Sequence, residues 1–273
     1  MQMNQQDSRY DRNGVGAIAF HVVFLVFILA PLVVVCLVAF TPDDFLSIPT
    51  RHFSLRWFAS LMNDEDFLSA LRTSLWLGVT SATVSTVLAV PAAMGLARYR
   101  FPGRAAINSF LLSPLMIPPV VLGIAFLRLF TLMNMGGSFV SLVACHALLI
   151  FPYALRLIMA ALVGQADESE RAARSLGAGR WTTFRRITLP AILPGLAGGW
   201  VLAFINSFDE LTATIFVTAP TTITLPVRIY MNMSETVDPS VAAISTLLIG
   251  LTLAVMLILD RVYGLNKVLI GNH

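Results

Sequence analysis

Six long apolar runs set the rhythm of the chain. They fall at about residues 17–40, 70–97, 106–130, 139–163, 194–217 and 241–263. Each can cross a hydrocarbon core of roughly 30 Å as a helix. The first run is too long for the core of a signal peptide, and no small-residue cleavage site follows it, so it is read as a span. The pattern predicts an all-α, polytopic membrane protein with six transmembrane helices. One transmembrane domain occupies residues 17–263, with a polar segment at 1–16 and a short tail at 264–273. The third run carries Pro114, Pro118 and Pro119. A helix broken or kinked in this way is tolerated at membrane depth only where protein or water satisfies the freed carbonyls. That fits a segment beside a pathway, and it equally fits a kink that shapes packing. Residues 133–138 read as a tight glycine-containing turn, and residues 218–240 as an outer segment with Pro220, Pro226 and Pro239.

Composition strengthens the membrane reading. Residues are 57% hydrophobic and 12% charged, against about 25% charged in soluble domains. The net charge of +3 is read as topology rather than as affinity for nucleic acid. With the N-terminus inside, twelve of the 18 basic residues fall on inner segments and four on outer ones, with Arg128 and Arg156 in or near spans. This bias places both termini in the cytoplasm. Cys36 and Cys145 both sit in apolar runs, as packing residues rather than a disulfide or metal framework.

The loop at residues 164–193 is written for water. Asp167 can cap a helix, with Glu170 completing a capping box. Ala172, Ala173 and Leu176 fall on one side of that helix, and Glu168, Arg171 and Arg174 largely on the other. Gly177 can take the left-handed conformation that ends it. A second short helix is expected at residues 180–187, with Trp181, Phe184 and Ile187 or Thr188 on one stripe, stopped by Pro190. Helix, tight turn, helix, stop: a loop so ordered offers a surface to a soluble partner.

Other chemistry is sparse. Lys267 is the only lysine, so the chain has no Gly-Lys-Ser/Thr phosphate loop. His21, His52, His146 and His273 are scattered without metal-ligand spacing, and His146 reads as a packing residue. A protein without an engine but with a docking loop draws its energy from a partner. Polar groups at membrane depth need a reason, since an acid at a helix centre costs about 2.5–3.5 kcal/mol. Asn206, Ser207, Asp209 and Glu210 in the fifth run form the clearest group. The adjacent acids point about 100° apart on a helix. One can wall a path for a cation, with Asp209 favoured over Glu210; alternatively the group pairs with Arg156 or Arg128 to lock the bundle. Pro118 and Pro119 join the pathway set.

The central loop resembles the EAA loop of ABC importer permeases: Glu-Ala-Ala, three residues, Gly, nine residues, Ile, one residue, Leu-Pro. Ala172, Ala173, Gly177, Ile187, Leu189 and Pro190 stand in that register, while Arg171 occupies the Glu position and Glu170 precedes it. The stretches Ser207-Phe208-Asp209-Glu210, Phe216-Val217-Thr218, Leu225-Pro226 and Ile229-Tyr230, and the Pro-Pro-Val-Val-Leu-Gly run at 118–123, resemble the spermidine/putrescine branch. The resemblance implies a type I importer in the bacterial inner membrane, embedded in lipid. Two permease subunits, usually different chains, form the path. Two ATPase subunits holding ATP and Mg bind beneath, and a periplasmic binding protein delivers the solute. This chain would then be a transport subunit without its own ATPase site or cofactor. The coupling surface would comprise Glu170, Arg171, Ala172, Ala173, Leu176, Gly177, Ala178 and Trp181, followed by Ile187, Leu189 and Pro190. The cargo would be a small charged solute, polyamine-like or else an opine or aminophosphonate. Two other readings stand beside this one: a secondary transporter driven by an ion gradient, and a membrane scaffold that docks a soluble partner.

Overall fold

The computed structural model describes residues 14–48, 52–162, 166–235 and 238–263. The expected polar start, the tail with Lys267 and His273, and residues 163–165 lie outside these. Among the described residues every regular element is helical. The chain divides into two compact units, residues 1–64 with 232–273, and residues 65–231.

In the first unit, α1 (Val15–Val38) and α2 (Arg56–Met62) both pack on α12, the last helix (Ser240–Tyr263). Large apolar side chains stand exposed all along α1, Phe27 to 76%. A helix apolar on every face suits lipid rather than water. After α1 the chain turns on a small polar knot. The Ser47 hydroxyl donates to Asp43 at 2.6 Å, and the Ser54 N–H donates to the Phe40 carbonyl at 2.8 Å.

The second unit is built on three helices that pack on one another: α3 (Glu65–Arg98), α6 (Phe139–Leu162) and α9 (Leu189–Phe208). Lipid supplies no hydrophobic drive between spans, so close backbone approach must do the work. Gly195 supplies it. A Cβ there would lie 2.5 Å from the Ala161 Cβ and 2.8 Å from the Leu157 carbonyl oxygen. Four residues on, a Cβ at Gly199 would lie 3.3 Å from the Ala154 Cα, a tight contact rather than a clash. Two buried apolar clusters fill the bundle. One is centred on Leu77, Leu142, Leu149 and Ala203, the other on Leu96, Leu155, Ile158 and Ile192.

The structure corrects several expectations. The third run is two helices, α4 (Arg104–Leu112) with a 3₁₀ turn at Ser113–Leu115, and α5 (Pro119–Leu132), bent by 96°. Two successive prolines cause the break, because each lacks an N–H and restricts the residue before it to extended conformations. Pro190 does not stop a helix. The chain is helical without interruption over Arg180–Phe208: α8 (Arg180–Thr183), a π turn at Phe184–Thr188, then α9. The wider π turn lies just where the missing N–H of Pro190 would break the α ladder. This fifth span ends at Phe208 rather than at 217, and α10 (Thr214–Val217) is a separate short helix. The expected outer segment contains α11 (Leu225–Glu235). It is held on α3 by the Leu225 N–H donating to Ser74 Oγ at 2.7 Å and by an Arg228–Asp66 ion pair.

Among the described residues four helices are long and apolar enough to cross a membrane alone: Gly16–Val38, Glu65–Arg98, Phe139–Leu162 and Arg180–Phe208. The bent α4–α5 pair makes a fifth, and α12 is apolar over Ser240–Ala254.

Candidate functional site

Two places draw the sequence-predicted residues together. The first is the elbow before α9. Helix α7 (Ala166–Ser175) ends as expected at Gly177, whose φ is +85°. The Gly177 N–H donates to the Arg174 carbonyl and the Ala178 N–H to the Ala173 carbonyl, both at 3.0 Å. This double bond pattern fixes the turn as a Schellman motif.

Glu170 departs from its expected role. It is 5% exposed. Its Oε1 accepts from Arg98 Nη2 at 2.9 Å and from Thr188 Oγ1 at 2.7 Å. Helix α7 begins at Ala166, so Asp167 lies inside its first turn rather than at the cap. Glu170 thus belongs to the inner face of the elbow, and its place on an outward coupling surface is corrected. The outer face carries Leu176, 89% exposed, and Trp181, 70% exposed, among the exposed side chains of Arg171, Ala172, Arg174 and Arg180. Trp181 lies against Phe184, with ring centroids 5.6 Å apart. Ala173, Ala178, Ile187 and Leu189 are half-buried, and Pro190 is exposed. The elbow is a fixed wedge whose exposed face is apolar and basic.

The second place is a cavity of about 110 Å³ where the α4–α5 break meets α6 and the end of α9. Pro114, Leu115, Ile117 and Pro119 line one side, His146 and Tyr153 another, and Asn206 and Glu210 a third. Pro118 is the N-cap of α5 beside this wall. Ser207 is buried and does not face the cavity as a pathway residue; it bonds to His146 Nδ1 at 2.9 Å. His146 Nε2 meets Thr214 Oγ1 at 2.9 Å. The Thr214 hydroxyl also donates to the Glu210 carbonyl at 2.8 Å. His146 is therefore a satisfied buried residue that staples α6 to both ends of the turn after α9.

The acidic pair separates. Asp209 caps the C-terminus of α9 and is exposed; Glu210 is half-buried and lines the cavity. Asp209, the acid the sequence favours for a path, stays outside this cavity, because α9 stops before the pair and the turn swings Glu210 inward. Neither acid pairs with Arg156 or Arg128 among the described residues, and both arginines are exposed. Instead Glu210 Oε1 accepts from the Ala213 N–H at 2.7 Å. Asn206 Nδ2 donates to the Leu202 carbonyl at 2.8 Å.

A tightly packed trio of spans, a broken span beside a polar cavity, and an ordered elbow together define a membrane permease fold. The same fold is found in a chain of a bacterial ABC transporter involved in the import of the acidic polysaccharide alginate. The TM-score is 0.75 at 16% identity, covering 95% of this chain and all of that one. Residues 85–266 match the family described as the binding-protein-dependent transport system inner membrane component, and the chain belongs to that family. It is a multi-pass component of the inner membrane. It is 34% identical over 237 residues to the spermidine/putrescine transport system permease protein PotC of Escherichia coli (strain K12), covering 87% of this chain and 89% of that protein. It is 29% identical over 232 residues to the putrescine transport system permease protein PotI of the same organism, covering 82% of each.

Proposed function

We propose that this chain is one permease subunit of an ATP-driven importer that carries a small polyamine-type cation into the cytoplasm. It crosses the membrane six times, through α1, α3, the α4–α5 pair, α6, the Arg180–Phe208 helix and α12, with both termini inside. The elbow then faces the cytoplasm and docks on an ATPase subunit, which supplies ATP and Mg. A second permease subunit completes the path, and a periplasmic binding protein delivers the solute.

One observation carries this reading: a wedge of fixed geometry exposes Leu176 and Trp181 while its inner face is bonded to the end of α3 through Glu170 and Arg98. Large exposed apolar side chains beside cations are characteristic of a protein interface. A wedge tied to a span can pass a push into the membrane, where a slack loop would absorb it. The polyamine cargo is supported by the likeness to the spermidine/putrescine and putrescine permeases and by the acid at the cavity.

The test is uptake of labelled spermidine by proteoliposomes holding the complex captured with this chain from its own membrane. ATP inside, with binding protein outside, drives accumulation, and vanadate stops it. Accumulation that follows an imposed ion gradient and ignores vanadate would replace the importer with a secondary transporter.

A further inference from the structure

We propose that Glu210 is the counter-charge that receives a cationic amine end of the cargo inside this subunit, in the cavity between the α4–α5 break and α6. The proposal rests on the importer reading above and names the residue and the ligand chemistry of its path.

The cavity wall carries one acid, several hydrogen-bond acceptors and no Arg or Lys. In a continuous helix the carbonyls of Pro114 and Leu115 would accept from the residues four further on. Those residues are Pro118 and Pro119, which have no N–H to give. Both Pro114 and Leu115 line the cavity. Glu210 brings a carboxylate. Its Oε1 holds the Ala213 N–H, and the carboxylate lines the cavity. Asn206 gives one amide N–H to the Leu202 carbonyl, and its carbonyl oxygen remains an acceptor beside the second N–H. Tyr153 adds a ring face, which attracts cations. No Arg or Lys lines the cavity. His146 contributes nothing to a ligand, since both ring nitrogens are engaged.

A ligand that suits such a wall is small and positively charged, and it carries several N–H donors. An alkylammonium has three, and it forms charge-assisted bonds with a carboxylate. A carboxylate or phosphate would meet the Glu210 carboxylate with no Arg or Lys on the wall to offset it. The space of about 110 Å³ holds an aminoalkyl end rather than a whole bulky solute.

Glu210→Gln is the discriminating variant. It keeps shape and keeps an oxygen for the Ala213 N–H, so it removes the charge and little else. In the reconstituted complex, Glu210→Gln is expected to lower ATP-driven spermidine uptake at limiting solute about tenfold, as expected for a lost charge-assisted contact. Assembly with the ATPase is retained. Asp209→Asn, one residue away and outside the cavity, should keep at least half of the uptake. Glu210→Asp, which retains the charge but withdraws it by one methylene, should fall between. Equilibrium dialysis of labelled spermidine against the complex in nanodiscs, without binding protein, reads the site independently of transport; Glu210→Gln should weaken that binding. Equal uptake or equal binding by wild type and Glu210→Gln would overturn the proposal, as would an equal loss with Asp209→Asn. Wild-type uptake that ignores ATP would instead remove the importer reading, and the dialysis comparison would still decide the site.

Discussion

Arg98 and Glu170, 72 residues apart, meet through a 2.9 Å bond that joins the last residue of α3 to the middle of α7. Thr188, in the π turn, donates to the same carboxylate oxygen. One acid thus gathers three elements: the end of a span, the first elbow helix and the root of the next span. Breaking a buried pair from one side leaves a charge without compensation and costs about 3–5 kcal/mol. Glu170→Ala should lower the melting temperature of the purified protein and reduce solute moved per ATP spent. The double change Arg98→Met with Glu170→Met removes both charges and should recover most of the stability. Measuring melting and coupling ratio for both variants separates folding from transmission.

Gly177 sits at φ +85° with open space around its Cα. Substitution there meets no neighbour, only the cost of a left-handed backbone, about 1–2 kcal/mol for an ordinary residue and more for a β-branched one. Gly177→Val should insert and fold as a bundle but lose most ATPase on co-purification, whereas Gly177→Asn should keep it. Wild-type recovery of the ATPase with the Val variant would show that the turn does not set docking.

Two neighbouring glycines on α9 make a paired test of span packing. A Cβ at Gly195 meets the Leu157 carbonyl at 2.8 Å, while one at Gly198 has only the tip of Leu157 at 3.9 Å. Gly198→Ala should be neutral. Gly195→Val should destabilise by about 1–3 kcal/mol, because helix backbone rather than a flexible side chain must move. Thermal unfolding in one detergent reads both.

His146 is fully buried, and its two nitrogens hold Ser207 and Thr214. His146→Leu leaves two hydroxyls beside an apolar group and should cost about 1–3 kcal/mol. It should also loosen the turn that presents Glu210. Faster hydrogen exchange confined to residues 207–214 would mark that loosening, and unchanged exchange would show that the staple is dispensable.

Much of this was legible in the chain, for physical reasons. Length and apolarity alone announce α1, α3 and α6, because lipid demands them. The Gly177 turn was legible because a left-handed residue is a local demand that sequence states directly. What depended on a second element was hidden. Glu170 read as a cap because its partner Arg98 is far away in sequence. The approach of Gly195 to Leu157 requires knowing which helix lies opposite. A fifth run helical to 217 lets either Asp209 or Glu210 face a path. Once α9 ends at Phe208, the turn that follows decides which carboxylate looks inward. The π turn was invisible because Pro190 reads as a stop unless the widened turn before it is known.

That widened turn has a mechanical result. From Trp181 to Phe208 the chain is one unbroken helix of about 40 Å, at 1.5 Å per residue. Simple geometry then gives leverage: swinging one tip through about four degrees carries the other roughly 3 Å, the length of a hydrogen bond. A nucleotide-driven nudge at Trp181 would reach the neighbourhood of Asn206 and Glu210 as the making or breaking of one contact.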